Sequence, residues 1–382
     1  MANKMIYRMR SDLLRLASIP LFIALFFVWV DCKAQSVIAK PVRIAVARIT
    51  HDHVGWILRR NKADIEIAGI YEPNAELAER YSKKYGFSKD LIYNDLNKML
   101  DAVKPDAVVA FGSIYEHLEV VEACAPRHID VMVEKPLAAS LKQALRMDSL
   151  ASKYDIKLLT NFETSWYPTT IKAYNLINDS NYIGSIKKVV VHDGHQGPKE
   201  IGVSKDFFEW LTDPVQNGGG AIVDFGCYGA NLMTYLMHGQ TPVSVTAVTQ
   251  HFKPAIYPHV DDEATIVLTY PDAQCIIQAS WNWPFGRKDM EIYGNKGYII
   301  TVNSSVMRLR VQGDSIEHQS QVAEGDVAVY TDPFSYLADV VRNKIKVPEN
   351  GLYSLQTNLT VVRILDAAIK SAKTGKTIYL KK

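Results

Sequence analysis

The chain has 382 residues, 48% apolar content and a formal charge of +2. That is enough apolar material for two packed cores, and no stretch has a disordered, collagen-like or solenoid composition. The positive balance is local: five Lys/Arg and two Asp lie in residues 1–34, and without them the charge is about −1, so no nucleic-acid footprint remains.

Residues 16–30 carry no charged side chain and follow Lys4, Arg8 and Arg10. The run is short for a membrane span, which takes about 20 residues. With Ala34 before Gln35, and Cys32 at the minus-three position, it reads as an export signal cleaved after Ala34. The mature protein is then expected in the periplasm; a retained anchor helix is the alternative. Asp31 argues against lipid attachment at Cys32, and Met9 separates Arg8 from Arg10, so there is no twin-arginine pair. Cys124, Cys227 and Cys275 stand far apart in apolar contexts and read as small buried hydrophobes.

From residue 41 short apolar runs alternate with helical patterns. Strands are expected at 42–47, 65–71, 91–93, 107–111, 131–133 and 157–161, and helices at 53–60, 75–84, 96–103, 115–125 and 137–154. Alternation of this kind implies a doubly wound parallel sheet covered on both faces, a Rossmann-type domain over 41–160. Longer Val/Ile/Thr-rich runs follow at 185–193, 244–252, 263–270, 274–281, 289–293, 298–302 and 305–311. Helices are fewer, at 169–177, after Asp224, at 333–342 and at 355–374. This predicts a C-terminal α+β domain over 161–382, with a large, mostly antiparallel open sheet. Such a sheet can pair across copies, giving a homodimer or homotetramer.

Two places carry chemistry. Val131-Met132-Val133-Glu134-Lys135-Pro136 puts a lysine at a strand end, where parallel-sheet ligands bind; the plain alternative is a solvated lysine. Gly218-Gly219-Gly220 is followed by Asp224 and Tyr228, four residues apart and so on one face of a helix. An ammonium beside a phenol stabilises the phenolate, which suits acid/base work on an alcohol. The plain alternative is an N-capping Asp and an ordinary half-buried Tyr.

Glu134-Lys135-Pro136, the triple glycine and Asp224-x-Gly226-x-Tyr228 together resemble the Gfo/Idh/MocA family (glucose-fructose oxidoreductase, inositol dehydrogenase, rhizopine catabolism). The resemblance covers residues 41–382. It implies NAD(P)-linked oxidation of sugar or cyclitol hydroxyls, with Lys135 and Asp224 as the family's lysine and aspartate and Tyr228 in place of its usual histidine. On that reading Tyr228 takes the hydroxyl proton assisted by Lys135, and Asp224 orients the substrate.

The phosphate loop departs from the family. Ala47-Arg48-Ile49-Thr50-His51-Asp52-His53 has no glycine in either frame of the dinucleotide fingerprint, and Asp52 would repel a pyrophosphate. Arg48, Thr50, His51 and His53 are candidate cofactor contacts instead. Glu72, at the end of the second strand, is placed to accept from a ribose diol and favours NAD; the alternative is an exposed helix-start acid. Gly112, Ser113, His117 and Glu134 complete the candidate cofactor set, His117 being equally readable as a helix surface residue. Trp166, His192 and His195 are candidate substrate contacts, and Trp281, Trp283 and Tyr167 candidate sugar-face walls. The group His259, Asp261, Asp262 and Glu263 has no metal-site spacing, and no metal is expected. Export away from free NAD points to a tightly held cofactor. Two alternatives stay open: an NAD-dependent glycoside hydrolase working through a transient ketone, and a carbohydrate-binding protein that has lost its cofactor.

Overall fold

The computed structural model describes residues 40–380; the expected export segment lies outside them. Among the described residues no helix is long and apolar enough to cross a membrane.

The first sheet holds β1 (Val42–Ala47), β2 (Ile65–Tyr71), β3 (Ile92–Tyr93), β4 (Ala107–Ala110), β5 (Asp130–Glu134) and β6 (Leu158–Asn161). Its order is β3-β2-β1-β4-β5-β6 and its pairs are all parallel. Both faces of β4 are buried, which is why it reads as an unbroken apolar run. The strand order reverses between β1 and β4, so a crevice opens beyond their C-terminal ends.

Around it lie α1 (Val54–Leu58), α2 (Ala75–Tyr85), α3 (Leu96–Val103), α4 (His117–Cys124) and α5 (Leu141–Tyr154). The start of α5 corrects the expected 137–154 helix. Ser140, itself extended, takes the cap position and accepts from the Gln143 amide, so the helix begins only at Leu141.

The C-terminal half adds α6 (Pro168–Asn178), β7 (Ile186–Gly194), α7 (Lys205–Leu211), α8 (Ala221–Asp224), α9 (Gly226–Leu236), β8 (Ser244–Gln250), β9 (Glu263–Thr269) and β10 (Gln274–Ser280). Then come β11 (Arg287–Gly294), β12 (Gly297–Thr301), β13 (Val306–Val311), β14 (His318–Gln321), α10 (Pro333–Val341), α11 (Leu355–Thr374) and β15 (Ile378–Tyr379). The nine strands run in the order β14-β13-β12-β11-β7-β10-β9-β8-β15. Every neighbouring pair is antiparallel except β7 with β10.

Alternation along β7 sorts its side chains. Val189, Val191 and Asp193 are buried on the helix-covered face, while Lys188, Val190 and His192 lie on the other. Four elements escaped the sequence reading: α7, α8, β14 and β15. Each is too short to show a hydrophobic period. The chain returns to the first sheet late. Phe334, Leu337 and Val340 of α10 join the core beneath β1 and β4, and Leu359 and Val362 of α11 pack with α5 residues. Cys124, Cys227 and Cys275 are buried free thiols, as expected.

Candidate active site

The lysine and the aspartate meet. Lys135 follows β5, and Asp224 closes the four-residue helix α8. Gly220 sets that helix against the second sheet: a Cβ there would stand 1.8 Å from the Asp261 carbonyl oxygen. The Asp261 carboxylate accepts from the Gly220 and Ile222 amides at 3.0 and 2.7 Å. Asp262 is buried and accepts from the Phe252 and Lys253 amides. The acidic group at 259–263 is thus occupied in holding loops.

Lys135 Nζ donates to the Asp224 carboxylate and, at 3.0 Å, to the Asp224 carbonyl. Trp281 Nε1 donates to the other carboxylate oxygen at 3.0 Å. Trp281 is fully buried, so it positions Asp224 and is no sugar-face wall. Burial alone would lower the lysine's pKa and raise the aspartate's. Their mutual charge reverses both, leaving Lys135 raised and Asp224 lowered.

Tyr228 lies on α9, 1% exposed, with two ammonium groups near its ring. Lys135 Nζ and Lys288 Nζ are each 5.1 Å from the ring centroid. The expected phenolate does not follow. Burial, then the nearby Glu163 carboxylate, push the phenol well above its ordinary value, so both Lys135 and Tyr228 carry protons at neutral pH.

Four residues complete the chamber: Lys288, Glu163 and Asn161, which the sequence reading missed, and Asp193, which it placed at a strand end beside His192 and His195 without a role. Lys288 is ion-paired with Glu163, which also accepts from the Tyr167 hydroxyl at 2.6 Å. Asn161 Nδ2 donates to Glu134 at 2.7 Å. Asp193 stands opposite Lys288 in the β7–β11 register. It is 0% exposed, and neither carboxyl oxygen has a hydrogen-bond partner among the described residues; burial raises its pKa well above the carboxylate range. The strand alternation of 189, 191 and 193 was the available signal for Asp193. Glu163 and Lys288 are distant in sequence and gave none.

His195 joins the chamber and His192 does not. His195 sits edge-on to Phe225 with Asp224 nearby, and burial lowers its imidazole to about 4. His192 is on the opposite sheet face, where its Nδ1 is 3.0 Å from Asp289. The substrate role expected of His192 loses its footing for that reason. Trp166 is turned into a hydrogen bond with Asn161 at 2.8 Å and stacks on Tyr353.

The candidate cofactor residues gather at the crevice, already bonded to one another. The Arg48, Ile49, His51 and His53 amides donate to the Tyr71 carbonyl, Glu72, the Phe111 carbonyl and His51 Nδ1. Glu72 is 2% exposed, and its oxygens accept from the Ile49 and Asn74 amides at 3.2 and 2.9 Å. It therefore braces the loop, correcting the expectation of an acid presented to a ribose. Thr50 reaches the Phe111 carbonyl at 3.4 Å. Arg48 adopts φ 65° and pairs with Glu116 at 3.0 Å. Its chain crosses Gly112, where a Cβ would stand 2.9 Å from Arg48 Cγ and 2.5 Å from Glu116 Oε2. The Ser113 amide donates to Glu116. The Asp52 carboxylate accepts from the Ser204 amide at 3.0 Å. His117 is fully buried, not on the surface: Nδ1 donates to the Leu137 carbonyl at 3.1 Å and burial lowers the ring to about 4.

His51, His53 and Glu134 bring ligand-type atoms within 4.8 Å of one another. His51 Nδ1 accepts from the His53 amide, so its proton sits on Nε2, the nitrogen turned to Glu134, and no lone pair is offered there. Burial would raise the Glu134 carboxyl, but His53, His51 and Asn161 bring it to about 2. The group is a charged hydrogen-bonded brace beside Lys135.

A dinucleotide fits these residues unevenly. The reaction end has the buried acid/base set. The phosphate end has no free glycine cradle, but Arg48 Nε and His117 Nε2 are buried without partners among the described residues. Arg48 is thus the counter-charge available to a pyrophosphate, and His117 Nε2 an acceptor for a ribose hydroxyl or a carboxamide. Arg48, Ser113 and His117 are the residues that would hold it.

Comparison with known proteins agrees with this architecture. Residues 44–162 match the oxidoreductase family with an NAD-binding Rossmann fold, and residues 172–300 match the GFO/IDH/MocA C-terminal domain. The chain belongs to the Gfo/Idh/MocA family and is an NAD-dependent oxidoreductase. It is 25% identical over 341 residues to trans-1,2-dihydrobenzene-1,2-diol dehydrogenase of Xenopus laevis, covering 85% of this chain and 96% of the relative. It shares its fold with aldose-aldose oxidoreductase from Caulobacter crescentus, solved with glycerol: TM-score 0.73, 20% identity, 89% of this chain and 100% of that one. GenD2 from gentamicin A biosynthesis, solved with NAD, gives TM-score 0.73 at 18% identity, covering 90% of this chain and 97% of that one.

Proposed function

We propose that the protein oxidises a hydroxyl, or reduces a carbonyl, of a sugar or cyclitol, working outside the cytoplasm with a tightly held NAD. The observation that carries this reading is the buried Lys135–Asp224 ion pair set against Tyr228. The dehydrogenase and aldose-aldose names of the relatives support the substrate class. When bound, NAD supplies the hydride acceptor or donor. Lys135 and Tyr228 hold the proton that the carbonyl oxygen gains or the hydroxyl loses, and Asp224 keeps Lys135 charged and aimed. Asp193, buried without a partner, is the group a substrate hydroxyl would satisfy. Copies pair through the uncovered face of the second sheet, where Val248 of β8 stands exposed.

The test is NADH formation across a panel of sugars and cyclitols, with Lys135→Met beside the parent. General acid/base groups contribute about 10²–10⁴-fold, and a loss of that size is expected with NAD affinity retained. Unchanged turnover in Lys135→Met would sink the mechanism. A second reading, glycoside cleavage through a transient ketone, is favoured by the second acid–ammonium pair, Glu163 with Lys288, across the Tyr228 ring. Sugar release without net NADH distinguishes it.

A further inference from the structure

Beside the reaction chamber lies a cavity of about 660 Å³ walled by Trp56, Trp166, Tyr167 and Phe334, with Ser304 and Glu163 on its rim. Its size falls among ligand clefts, which run about 300–1,000 Å³. None of Lys135, Asp224, Tyr228 or Asp193 lines it, so the reacting ring does not sit there.

The cavity is nonetheless wired to the chamber from two sides. Trp166 Nε1 bonds to Asn161, whose amide bonds to Glu134. Trp56 stacks on His53, ring centroids 3.8 Å apart, and His53 Nδ1 is 3.2 Å from the same Glu134. Glu134 directly precedes Lys135. On the cavity's other wall Glu163 holds Lys288 over the Tyr228 ring.

Its chemistry selects the occupant. The cations at its mouth are committed, Arg60 to Asp64 and Asp332 and Lys62 to Asp332, Glu163 is matched by Lys288, and Glu324 adds a further carboxylate to the wall, so no cation is left for a phosphate or carboxylate ligand. What remains is the indole face of Trp56, the Tyr167 ring, the hydroxyls of Ser304, Ser305 and Thr331, and the Glu324 carboxylate, which can accept from a sugar hydroxyl. Flat apolar faces ringed by hydrogen-bonding groups are the complement of a neutral pyranose.

We propose that this cavity is the subsite for a second, neutral sugar ring joined to the one that reacts, making glycosides and disaccharides the substrates in preference to free monosaccharides. The inference rests on the sugar-oxidising reading of the chamber. The experiment separates the two. Calorimetric titration of the purified protein compares matched pairs: glucose with cellobiose, galactose with lactose, xylose with xylobiose, myo-inositol with galactinol. In at least one pair the two-ring compound is expected to bind at least about tenfold more tightly, a difference near 1.4 kcal/mol. Ala323→Trp, a change at an exposed wall residue, plugs the cavity and should erase that difference while leaving the one-ring partner's affinity unchanged. Equal binding within every pair, or a preference that survives Ala323→Trp, overturns the proposal. NADH formation by the parent and by Lys135→Met, measured separately, reports only on the chamber. A two-ring preference without turnover therefore keeps the subsite and removes the oxidoreductase reading of its neighbour.

Discussion

The two ends of the crevice beyond β1 and β4 solve different problems. At the reaction end, two buried ion pairs, Lys135 with Asp224 and Lys288 with Glu163, stand beside Glu134, which is hydrogen-bonded by His53 and Asn161. At the phosphate end, the groups that a glycine loop would leave free are bonded inward, and a single arginine lies across Gly112. Chemistry of individual side chains is preserved at one end while the backbone cradle has been replaced at the other. Binding strength and reactivity are therefore separable in this chain, and each can be perturbed alone.

The largest expected effect after removal of Lys135 is that of pH. The ammonium and the phenol both titrate above their ordinary values, so the resting set is loaded with protons. Carbonyl reduction starts from that state; alcohol oxidation must first lose a proton from it. The kcat/KM for oxidation should rise about tenfold per pH unit through the neutral and mildly alkaline range. That for reduction should stay level and then fall. NAD affinity, set at the other end, should not follow either curve. An oxidation rate flat from about pH 6 to 9.5 would move the proton acceptor away from Lys135 and Tyr228.

How much of this was legible follows the same division. Lys135, Asp224 and Tyr228 stood out because Lys135 follows a strand, Asp224 ends a short helix and Tyr228 lies in the first turn of the next, each beside glycines or proline, so local sequence placed them. The parallel sheet was legible because β1, β4 and β5 are short apolar runs between helical periods. Glu163, Asn161 and Lys288 were not, since their roles arise from contacts across more than 20 residues of chain, and α7 is too short to show a period; Asp193 was legible only as a buried strand position, its lack of a partner being a matter of tertiary packing. Glu72 was misread for a physical reason. A strand-end acid is free for a ribose only when the loop opposite does not claim it, and a loop without glycines presents its Ile49 amide to that carboxylate.

Arg48 sharpens the comparison next. If its guanidinium is the counter-charge for a pyrophosphate, Arg48→Ala should weaken NAD binding about tenfold, in line with a charge-assisted contact of roughly 1.5–3 kcal/mol reduced by partial solvent exposure. Glu116→Gln, which frees the arginine, should tighten it about two- to threefold at low salt. Fluorescence titration with NAD reads both. Tighter binding in Arg48→Ala would show that the side chain blocks the crevice, and the division between the two ends would then be one of open against shut.

The smallest effect tests whether the reaction end carries unmet cost. Asp193 is buried with both oxygens unpaired among the described residues, a situation that costs about 1–3 kcal/mol. Its folded pKa lies above its unfolded one, so the native state binds the extra proton, and stability falls as pH rises above the ordinary carboxylate range. Asp193→Asn cannot ionise. It should melt a few degrees higher at pH 8 and gain little at pH 4, while losing kcat/KM on any substrate whose hydroxyl Asp193 would have met. A parent and variant that melt together at both pH values would mean that Asp193 is already satisfied by solvent, and that the chamber is wetter than its burial implies.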